Sequence, residues 1–145
     1  MGKINWVRVF LGGLLAGLII NVGEVAFHWV IRGADWWFFK ALSQPVQHTT
    51  AIVHYIGVRL LVGIAAIWLY AAARPRFGPG PRTALIAAFG YWVIGDALPT
   101  LSYAPLLATH PWLQPFSARG WVIGSLAGLA EIALATIVGA WSYRE

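Results

Sequence analysis

Four apolar stretches, each long enough to cross a lipid bilayer as a helix, dominate the sequence. They cover residues 4–31, 50–73, 83–107 and 118–141. A spanning helix needs about 20 mainly apolar residues, so a chain of 145 residues has room for four spans and short connectors. Because 59% of the residues are hydrophobic and only 10% are charged, an ordinary soluble domain and a disordered chain are both excluded. The sequence predicts an all-α fold in one transmembrane domain, an antiparallel four-helix bundle.

The connector between the first two spans contains four consecutive aromatic residues, from Trp36 to Phe39. Asp35 precedes them and can cap a short helix. Aromatic residues at this density between two spans predict a short interfacial segment that lies in the headgroup layer. A loop packed over the mouth of the bundle is the alternative.

The connector between the second and third spans is basic and rich in helix-breaking residues. Residues 74–82 include three prolines and two glycines, which predicts a tight, non-helical connection. Its three arginines would lie in a basic loop that faces the lipid headgroups: Arg74, Arg76 and Arg82.

Lysine and arginine residues are distributed unevenly between the two sides of the predicted bundle. Three lie on the side of the first and third connectors: Arg32, Lys40 and Arg119. Six lie on the side that holds both termini: Lys3, Arg8, Arg74, Arg76, Arg82 and Arg144. The positive-inside rule therefore predicts that both termini are cytoplasmic. The net charge of +5 reports topology and contact with membrane lipids, and no soluble face is present that could bind nucleic acid.

Several polar side chains interrupt the apolar spans. A charge at membrane depth costs at least about 2.5–3.5 kcal/mol on insertion scales, so such groups normally face the bundle interior and pair with one another. Counted along the spans, they fall in the middle and outer half, which predicts a polar cluster that opens to the periplasmic side. Its members, as a ligand-binding site or a buried polar network, are Asn21, Glu24, His28, His54, Arg59, Asp96 and Glu131.

The permanent cation in this set is Arg59, which needs a carboxylate from Glu24, Asp96 or Glu131. Pro99 lies close by and withdraws the hydrogen bond to the Gly95 carbonyl. This predicts a break in the third span beside Asp96, where freed backbone can line a cavity.

Two Gly-x-x-x-Gly patterns occur, Gly13/Gly17 in the first span and Gly124/Gly128 in the fourth. Glycines four residues apart form a groove that lets two helices approach closely. We expect the first and last spans to pack tightly, on each other or on a partner chain.

Three functions are compatible with these patterns. The glycine faces, the lack of a soluble domain and the lack of a nucleophile–base pattern favour a non-enzymatic accessory or scaffold subunit of a membrane complex, or a small homo-oligomer. A binder or carrier of a small ligand, ion or proton in the polar cluster is the alternative. The least favoured is a haem or metal redox protein that uses His28 and His54. The chain has no cysteine, and we predict no cofactor or metal.

Three stretches of the chain also carry a family resemblance. They are Ile4-Asn5-Trp6 with Gly12-Gly13 and Asn21-x-x-Glu24; Arg74-Pro75-Arg76-Phe77-Gly78-Pro79-Gly80; and Trp141-Ser142-Tyr143-Arg144-Glu145. With them the chain resembles a family of small bacterial four-span membrane proteins that has no established activity. The resemblance implies a bacterial origin, the inner membrane and a four-helix membrane fold, and it transfers no catalytic residue.

Overall fold

The computed structural model describes residues 4–109 and 118–143, and the side chains of all of these except 45–47, 104–109 and 118. The described residues are almost entirely helical and contain no strand, which confirms the predicted all-helical class. Four helical stretches are long and apolar enough to cross a membrane. The helices are α1 (Trp6–Arg32), α2 (Trp37–Ser43), α3 (Pro45–Phe77), α4 (Pro81–Trp92), α5 (Leu98–Thr109) and α6 (Ala118–Trp141), with a 3₁₀ turn at Gly33–Asp35 and a π-helical turn at Val93–Ala97.

The first helix packs against α3 through glycine backbone. A Cβ atom on Gly13 would lie 2.5 Å from the Cα atom of Ile64, and one on Gly17 would lie 2.6 Å from that of Leu60. A Cβ atom on Gly63 would overlap the backbone of both α1 glycines. Because residue numbers rise along α1 as they fall along α3, these two helices run in opposite directions. The glycine groove of α1 therefore faces α3.

Helix α6 meets α1 in the same half of α1, near the chain termini. A Cβ atom on Gly12 would lie 2.6 Å from the Gly139 carbonyl oxygen, and a Cβ atom on Gly139 would lie 2.6 Å from the Gly12 oxygen. Small and branched residues from four helices fill the space around this contact. The fully enclosed ones include Val9, Ala16, Ala66, Ile67, Ala84, Ala88 and Ala135. We call this half of the bundle the closed end.

Helix α3 continues past its predicted limit to Phe77, so the predicted non-helical loop over residues 74–82 is wrong. Arg74 and Arg76 lie in the last turn of α3, and Arg82 lies in the first turn of α4. The three arginines thus flank a turn of three residues and do not form a loop of their own.

The turn can be this short because two glycines let the chain reverse its direction within three residues. Gly78 and Gly80 have φ angles of 81° and 123°, which glycine adopts without the steric penalty that other residues meet. The Gly78 N–H donates to the Arg74 carbonyl at 2.8 Å and closes α3. Pro75 is tolerated in the last turn because its fixed φ is itself helical and only one hydrogen bond is lost.

The connector between α1 and α3 folds onto the bundle. Trp36 and Phe38 are buried, at 4% and 6% exposure, and they pack with Tyr55 of α3. The segment contains the short helix α2 and covers the α1–α3 mouth of the bundle. The predicted cap by Asp35 is wrong, because the N-cap is Trp36 and no side chain caps the helix. We call the half of the bundle that carries this segment the connector end.

Candidate functional site

A cavity of about 760 Å³ lies at the connector end between α1, α6 and the π-helical turn. Its walls run from Ile19 to Arg32 on α1 and from Gly120 to Leu134 on α6. With a rise of 1.5 Å per residue, each wall is about 20 Å long. The cavity is thus an elongated space that reaches from the connector end toward the middle of the helices.

Most of the surface of this cavity is apolar, and a small number of polar side chains converge on it. Aliphatic and aromatic side chains such as Ile19, Phe27, Ile123 and Leu134 form the walls. The polar and charged side chains in the lining are Glu24, His28, Arg32, Asp96, Thr100, Ser125 and Glu131. An apolar concavity with a few placed polar groups is the usual form of a small-molecule site.

The second Gly-x-x-x-Gly pattern contributes space to this cavity. Cβ atoms built on Gly124 and Gly128 meet no atom within 4 Å, and both residues line the cavity. The close helix contact expected at these two glycines does not occur within the described residues of this chain.

Glu24 is the centre of a three-residue cluster at the cavity wall. Arg59 Nη2 of α3 donates to Glu24 Oε1 at 3.0 Å. His28 Nδ1 lies 2.9 Å from Glu24 Oε2 and 3.0 Å from the Glu24 carbonyl oxygen. Because both neighbours are acceptors, Nδ1 carries the proton. Both oxygens of this carboxylate are thus occupied by protein groups.

Arg59 is held by α3 itself as well as by Glu24. Its Nη1 donates to the Tyr55 carbonyl at 3.1 Å, and its guanidinium lies 3.4 Å from the centre of the Tyr55 ring. Asn21 lies one helical turn before Glu24 and also joins the two helices, since its Nδ2 donates to the Gly17 carbonyl at 2.9 Å and to the Ile56 carbonyl at 3.4 Å. Asn21 and Arg59 therefore fasten α1 to α3 behind the cavity wall.

Glu131 differs from Glu24 in that part of its carboxyl group has no protein partner. It lines the cavity from α6, and its Oε1 atom is buried without a hydrogen bond to any described residue. A Cβ atom on Gly23 would overlap this carboxyl group, so the side chain occupies space that only glycine leaves free on α1. Gly23 could not be identified from the sequence, because a single glycine in an apolar helix carries no signal of what lies opposite.

Asp96 lies in the π-helical turn of the third span. The hydroxyl group of Ser125 donates to Asp96 Oδ2, and Trp92 Nε1 donates to the Ser125 carbonyl at 2.9 Å. The Leu98 N–H reaches back to the Val93 carbonyl, a five-residue bond directly before Pro99. The helix thus departs from α geometry where the proline pattern predicted a break.

The two histidines singled out in the sequence have different surroundings. His28 stacks on Trp36 with ring centroids 4.3 Å apart, whereas His54 is exposed on α3. Among residues 4–109 and 118–143, no three histidine or acidic side chains are placed to hold a metal ion. The polar residues predicted as one cluster therefore form a cavity group, a fastening pair behind it, and the separate His54.

Comparison with protein-family models, with curated proteins and with solved structures gave no match. The function is therefore inferred from this cavity and its side chains.

Proposed function

We propose that this chain is a multi-pass bacterial inner-membrane protein that binds a small amphiphile in the cavity at its connector end. Four helices long and apolar enough to cross a membrane support the membrane assignment. The distribution of lysine and arginine supports cytoplasmic termini. In this orientation the four spans form an antiparallel bundle, and the connector end faces the periplasm.

The observation that carries the proposal is the shape and lining of the cavity. It has the volume of a site for a drug-sized molecule, about 300–1,000 Å³. Its apolar walls suit a hydrocarbon body, while Glu131 and Asp96 offer carboxylate oxygens to a polar head.

The closed end favours binding over passage across the membrane. There, backbone meets backbone at Gly12/Gly139 and at Gly13/Gly17/Gly63, and Val9, Ala16 and Ile67 are fully buried. The arrangement suits a binding protein whose ligand enters and leaves on one side.

The test places new side chains in the cavity and leaves its charged residues unchanged. In the double variant Gly124→Leu/Gly128→Leu, two side chains enter a space that is open at both positions. The matched control is Gly57→Leu/Gly90→Leu, whose glycines also have open space within 4 Å but do not line the cavity. Binding of dodecylammonium and dodecanol is counted by native mass spectrometry of protein released from phosphatidylcholine nanodiscs.

We expect wild type and the control to bind at least one of the two amphiphiles, and the cavity variant to bind neither. Equal binding by the cavity and control variants would refute a binding function. It would favour an accessory or scaffold subunit, in which Gly124 and Gly128 pack against a helix of a partner chain.

A further inference from the structure

We propose that the cavity selects amphiphiles whose head group is a hydrogen-bond-donating cation, such as a primary ammonium, and that Glu131 recognises it. This inference rests on the proposed binding function and names the class of its ligand. It follows from which carboxylates are already occupied by protein groups and which are not.

Three carboxyl groups line the cavity, and the structure neutralises them unequally. Glu24 is neutralised by Arg59 and bonded by His28. Asp96 accepts from an uncharged hydroxyl, that of Ser125, and has no cationic partner among the described residues. Glu131 has a buried oxygen with no hydrogen bond from a described residue. Asp96 and Glu131 thus bring two carboxyl groups to the cavity lining that have no cationic partner among the described residues, and the lining also contains one cation, Arg32, at the end of α1.

A ligand that donates hydrogen bonds and carries positive charge can pair with these two carboxyl groups. A buried acceptor without a partner is costly, and a charge-assisted N–H···O bond is about twice as strong as a neutral one. A carboxylate-bearing or phosphate-bearing ligand would bring a second anion beside Glu131 and Asp96 in surroundings of low dielectric. Charge complementarity therefore favours an amine over an anionic head group.

Size points to a single-chain or drug-sized amine. The cavity of about 760 Å³ falls within the range of drug-sized sites. Its long apolar walls follow α1 and α6 for about 20 Å, which matches one hydrocarbon body that lies beside the two helices. We therefore assign the site to an amine amphiphile of this size.

The test compares dodecylammonium with dodecanol, which share the same hydrocarbon chain. We expect wild type in phosphatidylcholine nanodiscs to bind dodecylammonium at least about tenfold more tightly. Glu131→Gln should reduce this ratio to less than about threefold, because the amide keeps the shape and loses the charge. The control Asp35→Asn removes an exposed carboxylate that pairs with Lys40 outside the cavity, and it should leave the ratio unchanged.

A second variant, Glu131→Asp, keeps the charge and should keep the preference for the amine, so the test does not depend on the folding of Glu131→Gln alone. Equal affinity of wild type for both amphiphiles, or an unchanged ratio in Glu131→Gln, would overturn the inference while leaving a binding cavity. Loss of dodecylammonium when phosphatidylethanolamine is added to the nanodiscs would also overturn it, since a two-chain aminolipid would then be the occupant. Failure of both amphiphiles to bind wild type would instead remove the proposed function itself.

Discussion

The bundle contains the Gly-x-x-x-Gly pattern twice, and the two copies lie in opposite surroundings. At Gly13 and Gly17 the missing side chains let the backbone of α1 touch α3, next to Gly63. At Gly124 and Gly128 nothing lies within 4 Å of the position that a Cβ atom would take. The pattern states only that a helix face is smooth. Whether that face becomes a contact or a cavity depends on what the neighbouring helix presents.

The neighbouring residues explain the difference. Opposite Gly13 and Gly17, helix α3 presents Gly63, so two smooth faces meet and close. Opposite the α6 pattern, α1 carries larger or polar groups such as Glu24 and Phe27, and the π turn places Asp96 nearby. The two helices stay apart beside Gly124 and Gly128 at the connector end, while Gly12 and Gly139 bring them together at the closed end.

The largest expected effect comes from adding one methyl group at the closed end. Gly63→Ala would push a Cβ atom into the backbone of Gly13 and Gly17, and we expect a loss of about 3 kcal/mol in the free energy of unfolding. SDS titration in mixed micelles, followed by circular dichroism, measures it. Gly90→Ala is the control, because its Cβ atom would meet nothing within 4 Å. Equal stability of the two variants would mean that α1 and α3 are not in backbone contact.

The second largest effect is expected at the ion pair between Arg59 and Glu24. Arg59→Met leaves Glu24 with only His28 as a partner, and we expect a loss of about 2 kcal/mol in the same titration. Adding Glu24→Gln to this variant should restore at least about 1 kcal/mol, because the uncompensated carboxylate is gone. If the two substitutions simply add, the ion pair does not couple α1 to α3.

A smaller effect is expected at the π turn. Ser125→Ala removes the hydroxyl that donates to Asp96, and the loss of one such hydrogen bond costs about 1 kcal/mol. Ser102→Ala serves as the control, since the Ser102 hydroxyl bonds only to the carbonyl of Leu98 on its own helix. A loss at Ser125 no larger than that at Ser102 would show that the Ser125 hydroxyl does not join the two spans, which would leave only the bond from Trp92 to the Ser125 carbonyl at this position.

The smallest expected effect is a gain, and not a loss, in the free energy of unfolding. Gly128→Ala places a methyl group in the open cavity and replaces glycine within a helix by a better helix former, so we expect a gain of about 0.5–1 kcal/mol. A marked loss of stability would place Gly128 in a tight contact like that of Gly63.

Much of the fold could be predicted from the sequence, because long apolar runs leave a chain few alternatives. The four spans and the break before Pro99 follow from composition and from the chemistry of proline. A separation of five residues places His54 and Arg59 about 140° apart around an α-helix, and the structure has His54 exposed and Arg59 paired with Glu24.

The sequence could not predict which helix packs against each helix face. Periodicity shows which residues share a face, but it does not show which residues of another helix contact that face. Arg59 had three candidate carboxylates, and nothing in the spacing selected Glu24. Gly23 and Gly63 are single glycines whose importance exists only through Glu131 and Gly17 on other helices. The helical conformation of residues 74–77 could not be predicted, because proline and glycine are frequent throughout residues 75–81. Only those from Gly78 onward interrupt the helix.

The most direct test of the central claim is a crystal structure of the protein, grown from bicelles with dodecylammonium present. The account predicts that α1 and α6 stay apart beside Gly124 and Gly128, with elongated non-protein density between them and its polar end at Glu131. It would be contradicted by α6 closing onto α1, with Gly128 in backbone contact like Gly17 and no space left for a ligand.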